Sequence, residues 1–399
     1  MKITDLKCAV IGTHPVVRIT TDEGIDGLGQ VEWFKPYLKP HIMMYRERIL
    51  GQDPTDVERV MTRIRPYGAY KPWGSAVSAI EIALWDIAGK TLNTPVYKLL
   101  GGKVRDRVRV YNGGFRPPLN GHSPQDYAEN TQQMKERPEG FTIIKQPLAF
   151  HGRMGDEVPN FSYADPPRHA GFDEGGLLTE RGLDHLVACV EAMKGVLGKD
   201  IGLALDLGPG MTVVDAIRLG KALEPMNVMW LEDMLSGNYT PYVLADEYLK
   251  VSSATSTPIH TGEQIYGRQN VKELFEKQAV DVIGPDPLDV GGIAETKWIA
   301  EYAQLNGILI APHGIGDGLI GLAAHVQLAA TLPRNYIAFE YPMARPEWWA
   351  DIVEGLPDPI VKDGMIDVWD RPGLGVTFNV REAKKRLNDE DRGFFDQGG

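Results

Sequence analysis

Residues 201–232 read IGLALDLGPGMTVVDAIRLGKALEPMNVMWLE, and the fold is decided here. A short, nearly continuous apolar run at 201–206 ends on Asp206, and a second at 228–232 ends on Glu232. Runs of this length and composition suit strands buried on both faces of a parallel sheet. The stretch between them, from 213 to 224, repeats apolar residues at three- and four-residue steps, as an amphipathic helix does. The same pairing recurs on both sides. Further strands are expected at 142–145, 258–263, 280–286, 308–313 and 336–340. Helices are expected at 180–197, 241–253, 269–277, 292–306 and 318–332. An alternation this regular fits a closed barrel of (β/α) units better than an open sheet.

The chain before this region is of another kind. KITDLKCAVIG (2–12) and PVVRITTDEGIDGLGQVEW (15–33) read as strands joined by glycine turns. A helix is expected to start near Pro40, where a proline suits the first turn, and AVSAIEIALWDIAGK (76–90) is a clear helix. The expected organisation is an α+β capping domain at 1–110, with 365–399 packing back on it, and a barrel domain at 111–364. One segment breaks the alternation. Residues 150–176, with HGRMGDEVPNFSYADPPRHAGFDEGG after Phe150, have no period and follow a barrel strand, so a lid is expected.

Composition removes several classes of function. Of 399 residues, 42 are Lys or Arg and 54 are Asp or Glu, a formal net charge of −12 that argues against nucleic acid as a partner. Cys8 and Cys189 alone make neither a disulfide framework nor a thiolate cage. The opening MKITDLKCAV lacks an apolar signal-peptide core, and GLIGLAAHVQLAATL (318–332) is too short for a membrane span. A cytoplasmic protein with no membrane partner, acting on a small anionic molecule as a homo-oligomer, is expected.

The chemistry sits where the strands stop. In order, the expected strand ends are Lys145, Asp206, Glu232, Glu263, Asp286, His313 and Glu340, and all are ionisable. One charged strand end is ordinarily a salt bridge or helix cap. Seven in succession converge on one mouth, because parallel barrel strands all end on the same side. Asp206, Glu232 and Glu263 come from consecutive strands and would repel unless a cation lay among them. An all-oxygen set favours one Mg2+ over zinc. Asp233, beside Glu232, should point the other way by strand alternation. Asp286 and His313, from adjacent strands, suit an oriented imidazole that moves a proton. Lys145 is a second base, with its pKa expected to fall beside a cation, or a counter-charge to the acids. Glu340 is either a hydrogen-bond donor to a substrate carboxylate or the partner of a lysine.

These ends, with TTDEGIDGLGQVEW, SAIEIALWDIAGK, WLED, GEQ, PDPLDVGGI and APHG, resemble the mandelate racemase subgroup of the enolase superfamily over nearly the whole chain. The resemblance implies a modified (β/α)8-type barrel, (β/α)7β, with an α+β cap. It also implies one Mg2+ held by Asp206, Glu232 and Glu263, a His313–Asp286 dyad, and Glu340 as the carboxylate-side donor. The chain departs from that pattern at two places. Lys145 is followed by Gln146 and Pro147 with Ile at 143, so a paired lysine is missing, and Gly208 stands where some acid-sugar dehydratases have a histidine.

The expected function is Mg2+-dependent dehydration of a monocarboxylic acid sugar, a pentonate or hexonate, to a 2-keto-3-deoxy acid. Racemisation or epimerisation through the same enediolate remains an alternative. A Schiff-base aldolase built on Lys145 leaves the three acids unexplained, and a sugar-acid binding protein leaves the dyad unexplained. Candidate specificity residues in the cap loops are His14, Trp33, Lys35, Tyr67, Tyr70, Lys71 and Trp73.

Overall fold

The computed structural model describes residues 1–68, 73–163, 177–236, 243–314, 316–343 and 347–396. Three antiparallel strands open the chain: β1 (Ile3–Ile11), β2 (His14–Thr21) and β3 (Asp26–Gln30). The helix Gly74–Thr91 lies against β3. Side chains at Gly27 and Gly29 would fall onto the carbonyl oxygens of Ala83 and Ala79, so glycine there sets how closely helix and sheet approach.

A parallel sheet follows, built from β4 (Arg107–Asn112), β5 (Ile143–Pro147), β6 (Gly202–Asp206), β7 (Trp230–Glu232), β8 (Ile259–Thr261), β9 (Val282–Ile283), β10 (Leu309–Ile310) and β11 (Phe339–Tyr341). Its order is β10-β9-β8-β7-β6-β5-β4-β11. The two ends meet: Ile337 N donates to Ile310 O at 2.9 Å and Glu340 N to Pro312 O at 2.9 Å. This is the modified barrel with an antiparallel cap that the sequence predicts.

Its first strand is β4, and the expected domain boundary at 110 falls inside it. The tail serves both parts of the fold. Met365–Asp367 pairs antiparallel with β4, while Val10 N donates to Asp391 Oδ2 at 2.9 Å and Lys7 Nζ to Gly393 O at 3.0 Å on the cap. The start of the expected lid is packed, with Met154 and Phe161 buried in the main core. Residues 164–176 of that segment lie outside the described residues.

The barrel axis is filled by Tyr111, Ile143, Ala204, Trp230, Val282, Ala311 and Ala338. Their strand neighbours Val110, Ile144, Leu203, Leu205, Leu231, Ile283, Ile310 and Phe339 instead join the core beneath the helices. A strand has a side-chain period of two, so the residue two positions after each axial residue points to the axis one layer higher. Five of those seven positions are Lys145, Asp206, Glu232, His313 and Glu340, and the other two are Gly113 and Gly284. The sequence thus sets an ionisable layer directly above an apolar plug.

Candidate active site

Lys145 is the centre of this layer. It lies inside β5 rather than at its end, and alternation sends its neighbour Gln146 outward to Asn130 Oδ1 at 3.1 Å and Thr131 Oγ1 at 2.9 Å. Lys145 Nζ is 2.6 Å from Glu232 Oε1, 3.3 Å from Glu340 and 3.7 Å from Asp206 Oδ2. Asp206 and Glu232 close their strands and are paired across the sheet. Glu263, Asp286 and His313 lie two or three residues beyond theirs. Gly262, at φ +130°, supplies a bend before Glu263 that L side chains rarely adopt.

His313 Nδ1 is 2.7 Å from Asp286 Oδ2, and its Nε2 is 3.1 Å from Glu263 Oε2 and 3.6 Å from Glu340 Oε2. The seven residues singled out from the sequence therefore form one connected, largely buried set. Asp233 turns away, as expected, and accepts from Thr261 Oγ1 at 2.6 Å.

The balance of charge is the informative property. Burial disfavours the Lys145 ammonium, but Glu232, Glu340 and Asp206 outweigh it and raise its pKa. Burial also opposes the charge of Asp206, whose pKa His151, Lys145 and Arg116 together hold below the ordinary value. Glu232 is pushed up to about 7 by burial; Lys145 pulls it down, while the charges of Asp206 and Glu340 add to the rise. Buried acids exceed buried cations here, so the oxygen donors suit a hard divalent ion. Asp206, Glu232 and Glu263 are not the most tightly gathered donors. Among the described residues, donor atoms converge within 4.8 Å in Glu32–Asp286–His313 and Asp286–Asp317–His325. The expected trio instead lies against protein nitrogens, with Lys145 between Asp206 and Glu232 and Glu263 turned toward His313.

Irregular loops supply groups that strand ends could not reveal. Arg116, after β4, and His151, after β5, reach Asp206 at 3.5 Å and 3.2 Å. Glu32 and Lys35 arrive from the cap. Lys35 is buried, where it contacts Glu32, Asp289 Oδ1 at 2.6 Å and Ser75 Oγ at 3.0 Å, so it ties cap to barrel rather than lining an open mouth. His14 is likewise buried, against Trp349. Trp33, Tyr67 and Trp73 are exposed, while Tyr70 and Lys71 lie outside the described residues. A cavity of about 970 Å³ opens at the opposite end of the barrel, lined by Arg109, Thr142, Ile201, Met229 and Ile337, and none of the ionisable set lines it.

Cap, barrel and ionisable layer together define an enolase-type enzyme. Residues 129–383 match the family described as enolase C-terminal domain-like, and residues 9–101 match the mandelate racemase/muconate lactonizing enzyme N-terminal domain. The chain belongs to the mandelate racemase/muconate lactonizing enzyme family of the enolase superfamily.

It is 33% identical to the D-xylonate dehydratase of Haloferax volcanii, over 97% of this chain and 89% of that protein. With the D-galactonate dehydratase of Verminephrobacter eiseniae it shares 29% identity, over 98% and 95%. Among solved structures, a mandelate racemase/muconate lactonizing enzyme-like protein from Rubrobacter xylanophilus matches at a TM-score of 0.81 and 29% identity, over 97% of this chain and 98% of that one. At the level of the family, the expectation of a dehydratase, a hydro-lyase, holds. No helix among the described residues is long and apolar enough to cross a membrane.

Proposed function

We propose that the protein is a Mg2+-dependent dehydratase of a monocarboxylic acid sugar, a pentonate or a hexonate. The observation that carries the reading is the pairing of two proton-transfer groups about Glu340. Lys145 Nζ lies 3.3 Å from this carboxylate and His313 Nε2 3.6 Å from it. Asp206, Glu232 and Glu263 are the residues that would hold the cation, and a bound cation would supply charge to offset the substrate carboxylate as its α-carbon loses a proton.

His313 takes that proton at Nε2, because Asp286 holds the Nδ1 side of the ring at 2.7 Å and supports the imidazolium that forms. The Lys145 ammonium stabilises the anionic enediolate. The β-hydroxyl leaves as water once protonated from His313 or Lys145, and the resulting enol becomes a 2-keto-3-deoxy acid. Glu340 donates to the substrate carboxylate when protonated. Two proton-transfer groups facing one point also serve a racemase or epimerase, which would return the proton to the opposite face without loss of water.

The reading includes a cytoplasmic setting, which two buried free thiols, Cys8 and Cys189, suit, and a homo-oligomeric assembly. Incubation with a panel of pentonates, hexonates and aldarates should give a 2-keto acid from a monocarboxylic member, and chelation should abolish it. Solvent deuterium entering the α-position with no 2-keto acid would favour the racemase. Full turnover after exhaustive metal removal would sink the metal assignment.

A further inference from the structure

The loop after β5 is fastened to the loop after β6. Leu148 N donates to Asp206 O at 2.8 Å and His151 N to Leu207 O at 2.9 Å. Gly208, at φ +60°, has no side chain, and a Cβ there would lie 2.8 Å from His151 Cβ and 2.9 Å from its backbone nitrogen. The space beside Asp206 that residue 208 would fill is therefore held by His151, 57 positions earlier in the chain. A side chain at Gly210 would likewise run into Phe150.

The imidazole is held at its Nε2 end. Arg116 Nη1 lies 2.8 Å from His151 Nε2, and Arg116 Nε donates to Gly113 O at 2.8 Å. A guanidinium only donates, so Nε2 accepts and the ring proton sits on Nδ1. That nitrogen lies 3.2 Å from Asp206 Oδ1 without the alignment of a hydrogen bond, while Arg116 Nη2 donates to Asp206 Oδ2 at 3.5 Å. Each carboxylate oxygen of Asp206 thus meets one member of the pair.

We propose that Arg116 and His151 are positioning residues that fix the carboxylate of Asp206 for a divalent cation. This rests on Asp206 being a cation ligand, as proposed above. Partners behind a ligand commonly change metal affinity tenfold to a hundredfold, because they set the ligand's orientation. Here they come from two loops with no strand period.

The test is direct Mn2+ binding, followed by electron paramagnetic resonance on the full chain without substrate. His151→Phe keeps the ring's bulk and loses both nitrogens, and should weaken Mn2+ binding roughly tenfold to a hundredfold. His151→Asn keeps a donor near the place of Nδ1 and should restore most of that loss. Thermal unfolding of both variants shows whether they fold, and Gly208→Ala, which pushes His151 aside, should weaken Mn2+ in the same direction. Equal affinity of wild type and the Phe variant, with binding still lost in Asp206→Asn, overturns this inference alone. Equal losses in the folded Phe and Asn variants also overturn it, because volume rather than the donor would then matter. If wild type binds no Mn2+, or Asp206→Asn leaves binding intact, the assignment of Asp206 falls and this inference falls with it.

Discussion

Asp286 is buried, accepts from Leu288 N at 2.7 Å, and faces His313 Nδ1 at 2.7 Å. Replacing it with asparagine keeps the shape but removes the charge that favours an imidazolium. Asp286→Asn should therefore lower kcat by about 10²- to 10⁴-fold, the usual worth of positioned acid–base catalysis, with Mn2+ affinity within a few-fold of wild type. Steady-state kinetics and metal titration on one preparation check both halves; a matching fall in metal affinity would make the residue structural to the site. His313 and Asp286 were legible in the sequence because each follows a short apolar run that parity carries to the barrel axis. Arg116 and His151 were not, because their loops have no period, and only the folded proximity to Asp206 gives them meaning.

At the scale of elements, the cap helix Gly74–Thr91 is joined to the barrel helix Ile293–Leu305 by one side chain. Glu81 accepts from Ile293 N at 2.8 Å, from Ala294 N at 2.9 Å and from Trp85 Nε1 at 2.7 Å. Burial nevertheless pushes its pKa up to about 7, against the pull of those hydrogen bonds. A folded pKa above the unfolded one means that the native state binds more protons. Its contribution is thus fully present below about pH 4.5 and is lost as pH rises through about 7, a difference of roughly 3 kcal/mol. Glu81→Gln should lack this slope in urea unfolding measured across that window, and parallel curves for the two proteins would contradict the assignment. The other lesson at this scale is β4. The expected domain boundary at 110 cuts through RVRVYN, in which Arg107 and Arg109 are exposed. Its parallel partners β5 and β11 and its antiparallel partner Met365–Asp367 lie far away in sequence, so no local pattern could assign it to the barrel.

Across the whole molecule, cap and barrel meet through polar groups that would be costly to bury alone. Gln30 Oε1 accepts from Ile320 N and Gly321 N at 3.1 Å each, Gly291 N donates to Ser78 Oγ at 2.9 Å, and Lys35 bridges Ser75 and Asp289. The cap is thereby fixed over the end of the barrel where the ionisable layer lies. Alternating strands and helices made the barrel legible, and the convergence of the charged residues followed from it; the polar contacts between cap and barrel depend on docking and left no repeat to read. In the proposed reading His313 is the base at this junction. The most direct test is exchange of the α-proton of a turned-over acid sugar with solvent deuterium, followed by NMR in wild type, His313→Asn and Lys145→Ala. His313→Asn should show no exchange and no dehydration. Continued exchange in that variant, with none in Lys145→Ala, would contradict it and make Lys145 the base.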